Sequence, residues 1–165
     1  MITLADDATR ILFIGSGATA VMDAWLFLLK RFGIAGLNFA MVGRWVGHLV
    51  RGRFAHAAIA KAAPIRGEVA LGWFTHYAIG VVFASMLVAI AGESWPGDPQ
   101  LLPAVAFGLA TVAAPLLVMQ PAMGAGIASS RTPTPLANSL RSVVNHTVFG
   151  AGLYLAAACI EWISR

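Results

Sequence analysis

Residues 69–91 read VALGWFTHYAIGVVFASMLVAIA. These 23 residues carry no acidic or basic charge apart from one histidine, and as a helix they are long enough to cross about 30 Å of hydrocarbon. Apolar and polar residues do not alternate strictly, so the run predicts a helix and not a strand. Three more runs have the same character: residues 11–29, 101–118 and 143–163. The fold expected is an all-α membrane protein, four transmembrane helices in a bundle, with residues 1–165 as a single domain. The third helix is free to continue past Pro121 towards Ala128, since prolines are tolerated as kinks in lipid. Pro115 removes a backbone hydrogen bond and predicts a bend or unwound segment near Thr111 to Pro115.

Composition agrees. The chain is 59% hydrophobic and 11% charged, against about 25% charged in ordinary globular domains. A soluble chain this poor in charge would have nothing to cover its surface. The leader MITLADDATR carries two aspartates and one arginine, the wrong charge for a signal n-region, so the first helix is read as part of the mature protein. The lone Cys159 lies in an apolar run and offers neither a disulfide framework nor a paired-cysteine motif.

The net charge of +4 does not point to nucleic acid, because the basic residues are concentrated in two connections. Lys30, Arg31, Arg44, Arg51, Arg53, Lys61 and Arg66 lie between the first two runs; with Arg131 and Arg141 in the third connection they make nine of the eleven. By the positive-inside rule that side is cytoplasmic and both termini are on the far, periplasmic side. The intervening connection, GESWPGDPQ (92–100), is short and acidic. Within the long first connection, MVGRWVGHLVRGRF (41–54) has the spacing of an interfacial helix. Its Arg44, Arg51 and Arg53 are expected to form a lipid-facing basic cluster. His48 and His56 are expected to be exposed in the same loop, and Glu68 to cap the second helix or pair with Arg66. Trp73, Trp95 and Trp162, near run ends, fit an aromatic belt.

Ionisable groups inside the runs are the informative positions, because lipid makes buried polarity costly and such groups turn towards the bundle interior. Asp23, His76 and His146 all fall roughly 5–11 Å below the basic boundary at 1.5 Å per residue. Met119 and Gln120 of the third helix reach a comparable depth, with Met123 a turn beyond. Gly15, Thr19 and Asp23 share a stripe, as do Gly72, His76 and Gly80, and Ser142, His146 and Gly150. Small residues at this spacing let helices approach closely, which aims the polar residue at a neighbouring helix. The two histidine stripes also read as a weak two-plus-two parallel repeat. Two imidazoles and a carboxylate suit a transition metal, with Met119 and Met123 as soft ligands. Two histidines from different helices also suit haem iron. The remaining readings are a ligand or proton site including Gln120, and a hydrogen-bond network that only fixes helix register. No HExxH or GxSxG motif lends support to an enzyme.

Five segments carry a family resemblance: GATAVMDAW (17–25), VGRWVGH (42–48), RGEVALGWFTHYAIG (66–80), MQPAMGAGIASSRTP (119–133) and NHTVFGAGLY (145–154). Together they resemble a bacterial membrane-protein family catalogued as domain of unknown function 2938, over almost the whole chain. The resemblance implies a four-helix inner-membrane protein and supplies no activity, substrate or cofactor. Two classes of function remain from the residues themselves. One is a protein that binds a small ligand, metal or haem in the polar layer near the cytoplasmic face. The other is a non-catalytic accessory subunit of a larger membrane complex, or a small transporter acting as a homo-oligomer.

Overall fold

The computed structural model describes residues 4–34 and 36–163. The first three residues of the leader and the last two of the chain, read above as periplasmic, lie outside the described residues. Five helices are formed: α1 (Leu4–Arg31), α2 (Phe39–Leu49), α3 (Glu68–Ala91), α4 (Leu101–Ala122) and α5 (Pro135–Ile163). Among the described residues there is no strand. All but α2 are long and apolar enough to cross a membrane. Only 17–28% of each of their most apolar windows is buried inside the protein, so the rest needs lipid as its solvent. Phe13, Phe74, Ile90 and Leu102, each more than 60% exposed, lie on that outer surface.

The ends follow local chemistry. Asn38 caps α2 by accepting the Ala40 N–H at 3.0 Å. Gly92, at φ 105°, ends α3 in a conformation that favours glycine. α5 begins at Pro135, about two turns before the apolar run, since a proline in the first turn lacks only an N–H that would be orphaned anyway. α4 is regular through Thr111 and then passes into a π-helical stretch, Ala114–Met119, around Pro115. This is the departure from α-geometry that the proline predicts, achieved by widening the turn and not by breaking it.

α1 packs against both α3 and α5, and α4 packs against the other side of α5. α2 lies along the first turns of α3, whereas α3 and α4 touch only briefly. The helices therefore form an open series, α2–α3–α1–α5–α4, whose two arms meet through Phe83 and Phe107, ring centroids 6.3 Å apart. Glycines set the close approaches. A Cβ on Gly80 would strike the Thr19 hydroxyl of α1, one on Gly72 would strike the Phe39 carbonyl of α2, and Gly108 faces Gly150 between α4 and α5. In lipid, which is as apolar as leucine, such backbone contact is what holds helices together. The core between them is built on Ile14, Ala18, Ala84, Leu87 and Leu153, with the aromatic rings of Trp95 and Phe149.

The two basic connections meet. The His56 amide donates to the Ala122 carbonyl at 2.8 Å, and the Ile59 amide to that of Met123 at 3.0 Å. Both connections thus lie on one side of the bundle, the basic side. On the other side, Trp95 is buried in the core at 3% exposure, so it does not belong to an aromatic belt. Trp73 and Trp162 are exposed, at 40% and 76%.

Gly108→Ala should weaken the bundle, because its Cβ would lie 2.5 Å from the His146 carbonyl oxygen and 2.6 Å from Gly150 Cα. A loss of about 1–3 kcal/mol is expected for such overpacking. Thermal unfolding in detergent, compared with Gly97→Ala, where nothing lies within 4 Å, measures it. Equal melting temperatures for the two variants would remove the glycine contacts as the basis of assembly.

Candidate functional site

Asp23 of α1 faces two consecutive residues of α3. His76 Nε2 lies 3.0 Å from Asp23 Oδ1, and the Tyr77 hydroxyl donates to Asp23 Oδ2 at 2.9 Å. An ionised carboxylate only accepts, so His76 Nε2 carries the hydrogen of this bond. In the neutral ring Nδ1 is then a bare lone pair, with no partner among the described residues. The ring is held from the side by Phe39 of α2, centroid separation 4.8 Å, and by Trp73 at 6.1 Å.

His146 of α5 is fixed in the opposite sense. The Thr111 hydroxyl of α4 donates its single hydrogen to the Gly108 carbonyl at 2.6 Å. The contact of 2.8 Å between Thr111 Oγ1 and His146 Nδ1 must therefore be donated by the imidazole. His146 Nε2 is left as the lone pair of the neutral ring, again without a partner among the described residues.

Both rings line one cavity of about 480 Å³ between the helices, and so do Met119, Gln120 and Met123. Most of its other walls are apolar, with Phe39, Trp45, Phe83 and Phe149 among them. Gln120 is tied on both sides: Ser129 Oγ donates to its Oε1 at 3.0 Å, and its Nε2 donates to Ser142 Oγ at 3.3 Å. Asn145 accepts the Trp25 indole N–H at 3.1 Å, and its own NH₂ group has no acceptor among the described residues. Asp23 stands behind His76 and is not part of the cavity wall. The three residues of equal depth thus divide into two that face the cavity and one that orients a ring, and Asp23 makes no hydrogen bond to His146. Among the described residues no three His, Cys, Asp or Glu side chains gather as a metal-ligand set.

A model of the family described as protein of unknown function (DUF2938) matches residues 12–160. The chain belongs to the DUF2938 family. The matched region contains every side chain of the cavity and both ring-orienting groups. Neither the curated proteins nor the solved structures contain a match to the chain.

In this DUF2938 chain several polar residues outside the cavity take places that the sequence did not suggest. Arg44 does not join Arg51 and Arg53 on a lipid-facing surface. It is 9% exposed and grips Glu68 with both ends of its fork, Nε–Oε2 at 2.8 Å and Nη2–Oε1 at 2.7 Å. Its Nη1 donates to the carbonyls of Ala60 and Ala62 at 3.2 and 3.3 Å. The cause is the Gly43–Gly72 approach of α2 and α3, which sets residue 44 directly over Glu68. Arg44 is thus the partner of Glu68, in place of Arg66, and the hydrogen bond with that carboxylate raises the guanidinium's pKa further. Arg51 and Arg53 are exposed. His48 and His56, expected in the open loop, are 8% and 6% exposed. His48 Nε2 lies 2.9 Å from the Ala63 carbonyl, and the two rings meet edge to face at 5.0 Å. Tyr77 and Thr111, the groups that complete the histidine network, carry only weak signals in sequence: one is adjacent to His76, the other opens the proline-disrupted stretch.

Burial holds the His56 pKa below its ordinary value, with Arg53 and His48 adding to the shift. A base depressed in the folded state binds more protons when unfolded, so its stability contribution is lost as pH falls through the ordinary histidine range near about 6.5. The melting temperature should therefore drop between pH 7.5 and pH 5.5, and His56→Phe should flatten that drop. An unchanged slope in the variant would show that His56 is not the group responsible.

Proposed function

We propose that this DUF2938 protein is an integral protein of the bacterial inner membrane that binds a small ligand in the cavity between its helices. The observation that supports it is the pair of imidazoles on the wall of one cavity, His76 fixed by Asp23 and His146 by Thr111, each with one ring nitrogen that has no partner among the described residues. A network serving register alone would tie its groups to protein partners at each polar atom, as Gln120 is tied through both Oε1 and Nε2. The concentration of arginine and lysine on one side supports placing both basic connections, and hence the nearby cavity, at the cytoplasmic face.

Two kinds of ligand satisfy a bare imidazole nitrogen: a hydrogen-bond donor, or a metal, including haem iron. Met119 and Met123 on the cavity wall favour the second as soft neighbours. The absence of a third His, Cys, Asp or Glu within reach, among the described residues, weighs against a free-standing transition-metal site. We therefore favour an organic ligand with hydrogen-bond donors.

Protein gently extracted in mild detergent should carry one small molecule per chain by native mass spectrometry. A Soret band or stoichiometric metal in the same sample would select haem or metal. His146→Leu should lose the bound species with a smaller change in melting temperature than Gly108→Ala, and His76→Leu should lose it too, with the added cost of leaving Asp23 Oδ1 without its donor. No bound species in any preparation, together with large losses of stability in both variants, would instead make the network a register device in an accessory subunit.

A further inference from the structure

The cavity's walls differ in how they are closed. On the basic side the paired connections form a floor: His56 N–H to Ala122 at 2.8 Å, Ile59 N–H to Met123 at 3.0 Å, with Ile59 itself buried against the cavity. Towards the opposite side Phe83 and Phe107 bring α3 and α4 into contact. Between floor and contact the two helices are not packed on one another. Ile79 of α3 and Val118 of α4 both line the cavity and are 41% and 47% exposed. Both residues lie within membrane-spanning segments, so an opening rimmed by them would face lipid.

From this we propose that the ligand is a membrane-dissolved amphiphile with a hydroxylated ring, the chemistry of a quinol, which reaches the cavity from the bilayer between α3 and α4. The proposal rests on the reading of the cavity as a ligand site and adds its chemical class and its route. The ring matches the aromatic walls at Phe39, Trp45, Phe83 and Phe149, and an apolar tail can leave past Ile79 and Val118 into lipid. The polar end is chosen by the two bare nitrogens. A hydroxyl donates to an imidazole lone pair, whereas the carbonyl oxygen of the corresponding quinone would face it lone pair to lone pair. His76 and His146 stand on different helices, which suits a ring carrying two hydroxyls. The Asn145 NH₂ group, one residue from His146, is a donor for a hydroxyl oxygen's own lone pairs. Binding alone is proposed, with no oxidation of the ring.

The test uses unmodified protein in phospholipid nanodiscs, titrated with decyl-ubiquinol under anaerobic reducing conditions, with the oxidised decyl-ubiquinone, and with tail-less hydroquinone. The quinol should bind saturably, and the quinone about tenfold or more weaker, as expected when buried acceptors are left unpaired. Tail-less hydroquinone should bind more weakly than the tailed quinol. Val118→Trp, which narrows the rim without touching either histidine, should slow quinol association in the nanodisc. Quinone binding as tightly as quinol would overturn the chemical class. Equal affinity for tailed and tail-less rings, or association unaffected at the rim, would overturn the route. If a metal or haem occupies the cavity, or a phospholipid that the quinol does not displace, the inference here fails while the cavity remains a ligand site. If nothing binds, both fail.

Discussion

A carboxylate inside hydrocarbon must find hydrogen-bond donors, since lipid offers none. In this protein the donors for Asp23 come from adjacent positions of one neighbouring helix, His76 and Tyr77, and they occupy both oxygens. That bond pattern sets the rotation and height of α3 against α1, and Gly80 against Thr19 lets the two backbones come close enough to make it. It also decides the chemistry of His76, because a ring that donates from Nε2 presents Nδ1 elsewhere. What would otherwise be a costly charge in lipid thereby becomes the orienting group of a cavity wall, the same relation in which second-sphere carboxylates orient ligating histidines.

The helix order then makes the cavity. Because α1 is shared between α3 and α5, and α4 docks only on α5, the α3 and α4 arms are free to diverge on the basic side. The π-helical stretch from Ala114 to Met119 widens α4 where the arms diverge and brings Pro115, Val118 and Met119 to the space between them. α2 and the paired connections complete the wall on the basic side. α2 is held there by Gly43 against Glu68 and Gly72, and by the buried Arg44–Glu68 pair. An amphipathic loop helix thus serves as part of the cavity's enclosure as well as a surface element.

Length and apolarity were enough to read the four spans, because lipid imposes them residue by residue. The shared depth of Asp23, His76 and His146 was legible for the same reason: rise per residue fixes depth, and the cost of polarity turns each inward. What depth does not contain is which helix each residue faces. That is why the link from His146 to Thr111, 35 positions away, could not be read, nor the division of labour that leaves Asp23 behind the wall. The misreadings of Arg44, His48 and His56 share a cause. The segment 41–54 reads as a helix lying in the interface, with Arg44 towards lipid and His48 and His56 exposed, but α2 folds back along α3 and buries one face of that loop. Trp95 was placed in a belt from its position near a run end, whereas its connection tucks it under α5.

The central claim is that His76 and His146 hold opposite tautomers, His76 donating from Nε2 and His146 from Nδ1, each with its other nitrogen unpartnered among the described residues. Nitrogen-15 NMR of histidine-labelled protein in lipid tests this directly, with His76→Leu and His146→Leu assigning the two signals. The expected result is a protonated Nε2 and bare Nδ1 for His76, and a protonated Nδ1 and bare Nε2 for His146. Two rings protonated on the same nitrogen, or either ring doubly protonated at neutral pH, would contradict it.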